Sequence, residues 1–357
     1  MAAMAAGLIA GAALASAATV ALVAGAAVVG AAARRRVSRE TFRHKVVLIT
    51  GGSRGLGLEL ARLFADEGAY IAIASRDMTE LLDAKQELRD RGAADVDAFH
   101  CDVTSREECE SAILRLISRW GRIDVLVNNA GIILSAPLER LKVDDFEEAM
   151  AVHFYGPLYM SLAATHHMRR QGDGRIVNIA SIGGKIAVPH LLPYCASKFA
   201  LVGLSDGLRA ELARHHIAVT TVCPGLMRTG SHVNANFRGY HELEFALFSL
   251  LDALPLTSIN AERAARRIVD ATRRRRAHLI ITPQAKLAAL MNNLTPETVA
   301  TIVAMAARFL PRSGGKNPFE EKTGAESRPR WLPSIVTKLA DRASVRNNEI
   351  RKTAPAS

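Results

Sequence analysis

Short apolar runs alternate with helix-length amphipathic stretches from about residue 45 to residue 285. Val46-Val47-Leu48-Ile49 and Tyr70-Ile71-Ala72-Ile73-Ala74 are unbroken apolar runs, the pattern of strands buried on both faces. Between them Leu58, Leu60, Ala61, Leu63 and Phe64 recur at helical spacing up to Gly68, so the first three elements read as a βαβ unit. The rhythm continues as helix 78–91, strand 96–101, helix 105–119, strand 123–127, a long helix near 144–170, strand 175–179, helix 193–214, strand 217–222 and a last strand at 278–282. Seven such strands predict an α/β fold, a doubly wound parallel sheet with helices on both faces. Right-handed crossovers then place a ligand outside the carboxyl ends of the strands, where the strand order reverses.

Other stretches break the rhythm. Residues 226–258 carry Leu226, Met227, Phe237, Tyr240, Leu243, Phe245, Phe248 and Leu250 between the sixth strand and its helix. That density fits a lid over an apolar substrate, and equally fits packed helices lining the core or a dimer contact. Beyond residue 286, Thr295-Pro296-Glu297 is a helix start with proline in the first turn. Val299, Ile302, Val303, Met305 and Phe309 then line one side of that helix. Residues 312–330 are rich in Pro, Gly, Ser and charge, and a last short helix is expected from Trp331 to about Asn348. Residues 286–357 thus read as a helical, basic extension to a catalytic domain at 45–285.

At the other end, Met1 to Ala33 contains no charged residue and is closed by Arg34-Arg35-Arg36, with residues 34–44 as a basic linker. A helix needs about 20 apolar residues to cross roughly 30 Å of hydrocarbon. The arginines would hold its C-terminal end, and the domain beyond, on the cytoplasmic side. A single membrane anchor is the favoured reading. A cleaved signal is the rival, but a signal carries its positive charge before the apolar stretch, not after it; a loosely attached tail is the third.

Composition adds limits. With 46 Lys+Arg against 35 Asp+Glu the formal charge is +11, compatible with an anionic cofactor or lipid surface. The densest clusters, at 34–36 and 273–276, lack stacking aromatics, so nucleic acid is not an expected partner. Cys101, Cys109, Cys195 and Cys223 show no C-x-x-C pair and no histidine at ligand spacing, which leaves neither a metal site nor a disulfide framework in prospect.

The chemistry begins with Thr50-Gly51-Gly52-Ser53-Arg54-Gly55-Leu56-Gly57, directly after the first strand. Glycines allow a ligand to approach the backbone, and the following helix offers free N–H groups and its positive dipole end to a pyrophosphate. Some 140 residues later comes Tyr194-Cys195-Ala196-Ser197-Lys198, with Ser181 thirteen positions before the tyrosine. Lys198 lies four residues after Tyr194, on the same helix face, where an ammonium favours the phenolate over the phenol.

These motifs, with Asn128-Asn129-Ala130-Gly131 after the fourth strand and Pro224-Gly225 after the sixth, resemble those of the classical short-chain dehydrogenases/reductases. The resemblance covers about 45–285 and implies a Rossmann-type sheet, a nicotinamide dinucleotide cofactor and, commonly, a homo-oligomer. It assigns substrate oxygen binding to Ser181, proton exchange to Tyr194, and to Lys198 the ribose hydroxyls as well as the tyrosine. For the cofactor it points to Gly51, Ser53, Arg54, Gly55, Leu56, Gly57, Ser75, Arg76, Asp102, Val103, Asn128, Asn129, Ala130, Gly131, Tyr194, Lys198, Pro224 and Gly225. Asp102 would hold the adenine amino group, with Val103 beside it. Asn128 would steady the central strand and border the cofactor.

Charge at the end of the second strand chooses between nucleotides. A carboxylate there holds the ribose 2′-OH of NAD, whereas a 2′-phosphate wants arginine. Ser75-Arg76 together with Arg54 favours NADP(H); the alternative is a solvated Arg76, with Asp77 bending back to the ribose. One departure from the family pattern stands out. Val152-His153-Phe154-Tyr155-Gly156 has His153 where the family has an asparagine that seats a relay water, and an imidazole can also donate and accept. The expected function is NADP(H)-dependent interconversion of an alcohol and its ketone or aldehyde, on an apolar substrate. A nucleotide-binding scaffold that has lost turnover is the alternative.

Overall fold

A computed structural model describes residues 40–253, 258–311, 319–329, 331–332 and 334–350, with residues 334–336 as backbone only. The expected anchor at 1–33 lies outside them. Among the described residues no helix is long and apolar enough to cross a membrane.

Seven strands form the central sheet: β1 (Val46–Thr50), β2 (Tyr70–Ser75), β3 (Asp95–His100), β4 (Val125–Asn128), β5 (Gly174–Ile179), β6 (Ile217–Cys223) and β7 (His278–Ile280). Their order is β3-β2-β1-β4-β5-β6-β7, and every pairing is parallel. The order reverses between β1 and β4, where Val47 pairs with Val125 and Ile49 with Val127. This is the doubly wound Rossmann-type sheet that the alternation predicts. Alternate residues of β1 serve opposite faces. Val47 and Ile49 join one core with Leu58, Phe64, Ile71 and Ile268, while Val46 and Leu48 join the other with Ile113, Leu126, Met160 and Val219.

The helices α1 (Gly55–Asp66), α2 (Met78–Asp90) and α3 (Arg106–Trp120) begin where expected. Asp77 caps α2 through the N–H groups of Thr79 and Glu80, and Ser105 caps α3 through that of Glu108. The long helix predicted near 144–170 is interrupted. It runs as α4 (Val143–Met150), a π-helical turn at Ala151–Tyr155, and α5 (Gly156–Gln171). Such turns are rare and are frequent at functional sites; this one is centred on His153.

Helix α6 (Leu192–Leu212) carries the Tyr-x-x-x-Lys pair. After β6, Leu226–Arg228 pairs in parallel with Ser258–Asn260, and α7 (His241–Ala253) lies between them. Asn260 caps α8 (Ala261–Arg273), which packs on α1. Thr282 caps α9 (Pro283–Leu294), and α10 (Pro296–Ala307) starts at the predicted proline.

The far C-terminal chain does not stay apart. Lys322–Thr323 pairs antiparallel with Asn236–Phe237, which pairs in turn with Leu134–Ser135. Helix α11 (Ser334–Arg346) packs against α7.

Candidate active site

The turn at 50–57 is held from the neighbouring strand end. Gly51 and Gly55 adopt φ of +61° and +58°, a region that side chains disfavour. At Gly57 the reason for glycine is space: a Cβ would lie 2.0 Å from the Gly51 carbonyl oxygen. Asn129 donates from Nδ2 to the carbonyls of Thr50 and Gly51, both at 3.0 Å. Thr50 Oγ1 accepts in return from the N–H groups of Asn129 and Ala130. Asn128 lies deeper. Its Nδ2 donates to Asn178 Oδ1 at 2.8 Å and Ser161 Oγ at 3.2 Å, tying β4 to β5 and α5. Asn129, not Asn128, lines the cavity, so the place beside the cofactor expected of Asn128 falls to its neighbour. Gly57 likewise lies behind the cavity wall while the other residues expected to hold a cofactor line it.

At the β2 end, Arg76 is exposed and lines the cavity with Ser75. Asp77 spends its carboxylate on capping α2, which leaves little of it for a ribose. Ser53 Oγ donates to Glu80 Oε2 at 2.9 Å, and Arg54 Nη1 pairs with Glu80 Oε1 at 3.0 Å. A glutamate thus sits against Arg54, one of the two arginines expected to meet a 2′-phosphate, and nothing in the sequence pattern marks it. Asp102 accepts from the N–H and hydroxyl of Thr104 at 2.9 and 2.8 Å. Burial pushes its carboxyl up, but those hydrogen bonds and the charge of Arg76 leave it below its usual range.

Ser181, Tyr194 and Lys198 come together at the carboxyl edge, on the loop after β5 and on α6. Ser181 Oγ accepts from the Gly183 N–H at 3.0 Å and hydrogen-bonds the Tyr194 hydroxyl. Lys198 Nζ lies 5.6 Å from the Tyr194 ring centroid and donates to the Ile179 carbonyl at 2.9 Å. Tyr194 keeps some surface on the cavity side and is enclosed elsewhere. Burial pushes its phenol up to about 12, with the Ser181 hydrogen bond pulling the other way. Burial pulls the Lys198 ammonium down to about 7. The lowering expected from Lys198 together with the oxidised nicotinamide is not seen in the polypeptide alone, where burial dominates the phenol.

His153 is buried in the π-helical turn. Its Nε2 accepts from the Ile132 N–H at 3.1 Å, which fixes the proton on Nδ1, and Nδ1 faces Ser197 Oγ at 2.8 Å. Ser197 Oγ in turn donates a hydrogen bond to the Tyr194 carbonyl at 2.9 Å. Burial and the neighbouring Lys198 hold the imidazole well below its usual range, hence neutral. Both ring nitrogens are spent on the protein, so this geometry favours bracing over the water-seating role expected for His153.

One cavity of about 510 Å³ joins the glycine turn, the β2 end and the Ser181–Tyr194–Lys198 cluster. Residues 226–236 form its other wall through Met227, Thr229, Ser231 and Asn234. The large apolar groups of the expected lid are mostly elsewhere: Phe237 and Phe245 pack with Ala235, Phe248, Ile133 and Leu332 in a small core of their own. Two further wall residues, Glu321 and Glu349, come from the C-terminal chain and escaped the sequence reading. No local pattern marks either.

Fold and cavity together define an oxidoreductase of the doubly wound, dinucleotide-binding class. Residues 45–238, over half of the chain, match the short chain dehydrogenase family model. The chain belongs to the short-chain dehydrogenase/reductase family. It is 31% identical to a dehydrogenase/reductase SDR family protein 7-like of Drosophila melanogaster, over 76% of this chain and 83% of that one. Dehydrogenase/reductase SDR family member 7B of Bos taurus is 30% identical over the same shares. Among solved structures, NAD+-bound xylitol dehydrogenase superposes with a TM-score of 0.59 at 26% identity, covering 68% of this chain and 99% of that one. The protein is an enzyme acting on CH–OH and C=O groups with a nicotinamide cofactor and a small-molecule substrate.

Proposed function

We propose that this enzyme is an NADP(H)-dependent reductase of ketones or aldehydes, with Ser181, Tyr194 and Lys198 as its catalytic residues. The single observation that carries the reading is the convergence of these three side chains, from two separate elements, on the cavity that begins at the glycine turn. The residues fit a dinucleotide: left-handed glycines at 51 and 55, a basic β2 end, and a cavity long enough to join both ends. Gly51, Gly55 and Leu56 would hold its phosphates, Asp102 and Val103 its adenine, Ala130, Gly131, Pro224 and Gly225 the remainder. The bound nicotinamide supplies the hydride.

The protein's own part is to hold a carbonyl and deliver a proton. Ser181 Oγ, kept in place by the Gly183 N–H, orients the substrate oxygen beside Tyr194. The Tyr194 phenol, kept protonated by burial, can give its proton to the oxygen of the forming alcohol. Lys198, buried on the next turn of α6 and drawn toward neutral pH, can replace that proton and grip hydroxyls of the cofactor ribose. His153 orients this machinery through Ser197 and the turn at 129–132.

Arg76 and Arg54 support NADP(H), although Glu80 must yield Arg54 for both to serve. Met227, Ile133 and Leu134 in the wall support an apolar substrate. Attachment to a membrane through residues 1–33 and a homo-oligomer belong to the same proposal. On α9, on α10 and in the turn after it, Leu287, Leu290, Leu294, Ile302, Met305 and Phe309 are all exposed, which gives an apolar surface for either.

The test is NADPH consumption, followed by absorbance, with the purified protein and a panel of carbonyl compounds. Turnover that falls by about 10²- to 10⁴-fold in Tyr194→Phe is expected for loss of a general acid. Tight NADPH binding with no consumption across the panel would instead point to a non-catalytic scaffold.

A further inference from the structure

The last described residues run across the glycine turn. Gly55, the first residue of α1, donates its N–H to the Asn347 carbonyl at 2.8 Å. Asn348 Nδ2 donates to the Ser53 carbonyl at 3.2 Å. A Cβ on Gly55 would lie 2.6 Å from Glu349 Oε1, and Arg54 Nε lies 3.5 Å from Glu349 Oε2. The side chain of Glu349 is only 4% exposed, and it lines the cavity.

The same segment is fastened to the opposite wall. Asn234 Nδ2 donates to Glu349 Oε2 at 2.6 Å and to the Glu349 carbonyl at 3.0 Å. Asn347 Nδ2 donates to the Thr229 carbonyl at 2.9 Å, and Ser344 Oγ to that of Gly230 at 3.2 Å. Gly230 is glycine for this reason, since a Cβ there would lie 2.3 Å from Ser344 Cα. Arg62 secures the approach by donating to the Arg346 carbonyl at 2.9 Å. Residues 344–349 therefore bridge the two walls of the cavity at its phosphate end.

The amino end of α1 attracts anions, because its first N–H groups lack partners within the helix and its dipole is positive there. In this protein one of those N–H groups is already engaged, and the anionic group beside it is a glutamate of the same chain. A pyrophosphate brought to this turn meets a like charge in a poorly solvated place. The geometry points to residues Asn347–Glu349 as an autoinhibitory strap over the phosphate end of the cofactor site, which must release for the nucleotide to enter. This rests on the cofactor reading above. It adds that the C-terminal chain sets how readily the cofactor is taken up.

The test compares the full-length wild type with Glu349→Gln, which keeps the hydrogen bond from Asn234 and removes the charge. NADPH affinity at pH 8 is read by fluorescence titration, and amide exchange of residues 344–350 is followed with and without NADPH. The glutamine variant is expected to bind about tenfold tighter, the order set by one like-charge contact across a partly solvated site. The strap amides of the wild type are expected to exchange faster when NADPH is bound. Equal or weaker binding by the variant, or greater protection of those amides, would overturn the strap. If neither folded protein binds NADPH or NADH at all, the cofactor assignment fails and the strap with it.

Discussion

In the proposed NADP(H) reading Arg76 carries the choice of nucleotide almost alone, because each of its rivals is already engaged. Asp77 caps α2 and Arg54 is paired with Glu80, whereas Arg76 is exposed at the β2 end and lines the cavity. A charge-assisted contact to phosphate contributes about 1.5–3 kcal/mol. Arg76→Asp should therefore lower the NADPH to NADH preference, measured as a ratio of kcat/KM, by about tenfold or more. An unchanged ratio would show that the 2′-phosphate is read elsewhere. The residues proposed as catalytic stand at a spacing that the sequence alone displays. Tyr194 and Lys198 share a helix face by arithmetic, and only the balance of burial against charge needed coordinates, because it depends on what surrounds both groups.

Among the elements, the alternation of strand-length and helix-length apolar stretches was enough to place all seven strands. The central ones, buried on both faces, leave an unbroken signature, while the edge strand β3 alternates. The interruption at Ala151–Tyr155 was not legible as structure. A π-helical turn changes the hydrogen bonding without changing the hydrophobic pattern, and only the unusual His153 marked the place. That histidine joins three pieces: the 129–132 turn through the Ile132 N–H, the α4–α5 junction that carries it, and α6 through Ser197. His153→Ala leaves the half-buried Ile132 N–H without its acceptor and opens a cavity, at a cost of about 1–3 kcal/mol. We expect a lower melting temperature with the shape of the kcat pH profile preserved. A shifted profile in a variant of unchanged stability would return the proton relay to His153.

The molecule as a whole is closed by a contact that no local pattern announces. Asn348 meets the Ser53 carbonyl across 295 positions of sequence, and what brings it there is the packing of α11 on α7. Composition alone marks residues 286–357 as an extension; in the fold, Glu321 and Glu349 from it complete the cavity wall. The contact has a measurable signature. Burial pushes the Glu349 carboxyl up to about 7, and neighbouring Glu80 pushes the same way, against Arg54 and the Asn234 hydrogen bond. Asp252 on α7 is raised likewise by burial, to about 7. A carboxyl raised on folding stabilises the fold fully below its unfolded value, near 4.5 for glutamate, and that stability is lost as pH rises through about 7. For Glu349 alone the loss amounts to at most about 3 kcal/mol. The wild-type melting temperature should thus fall between pH 5 and pH 8 more steeply than that of Glu349→Gln. Parallel curves would show that the carboxylate is ionised throughout.

The central claim is that a carbonyl accepts hydride in the cavity where Ser181, Tyr194 and Lys198 meet. The most direct measurement is isotopic: the purified enzyme turns over a reducible carbonyl with NADPH deuterated at both C4 positions, and the product alcohol is weighed by mass spectrometry. One deuterium on the former carbonyl carbon, lost in Tyr194→Phe, is the predicted result. Product without deuterium, or labelled product formed equally fast by the phenylalanine variant, would contradict it.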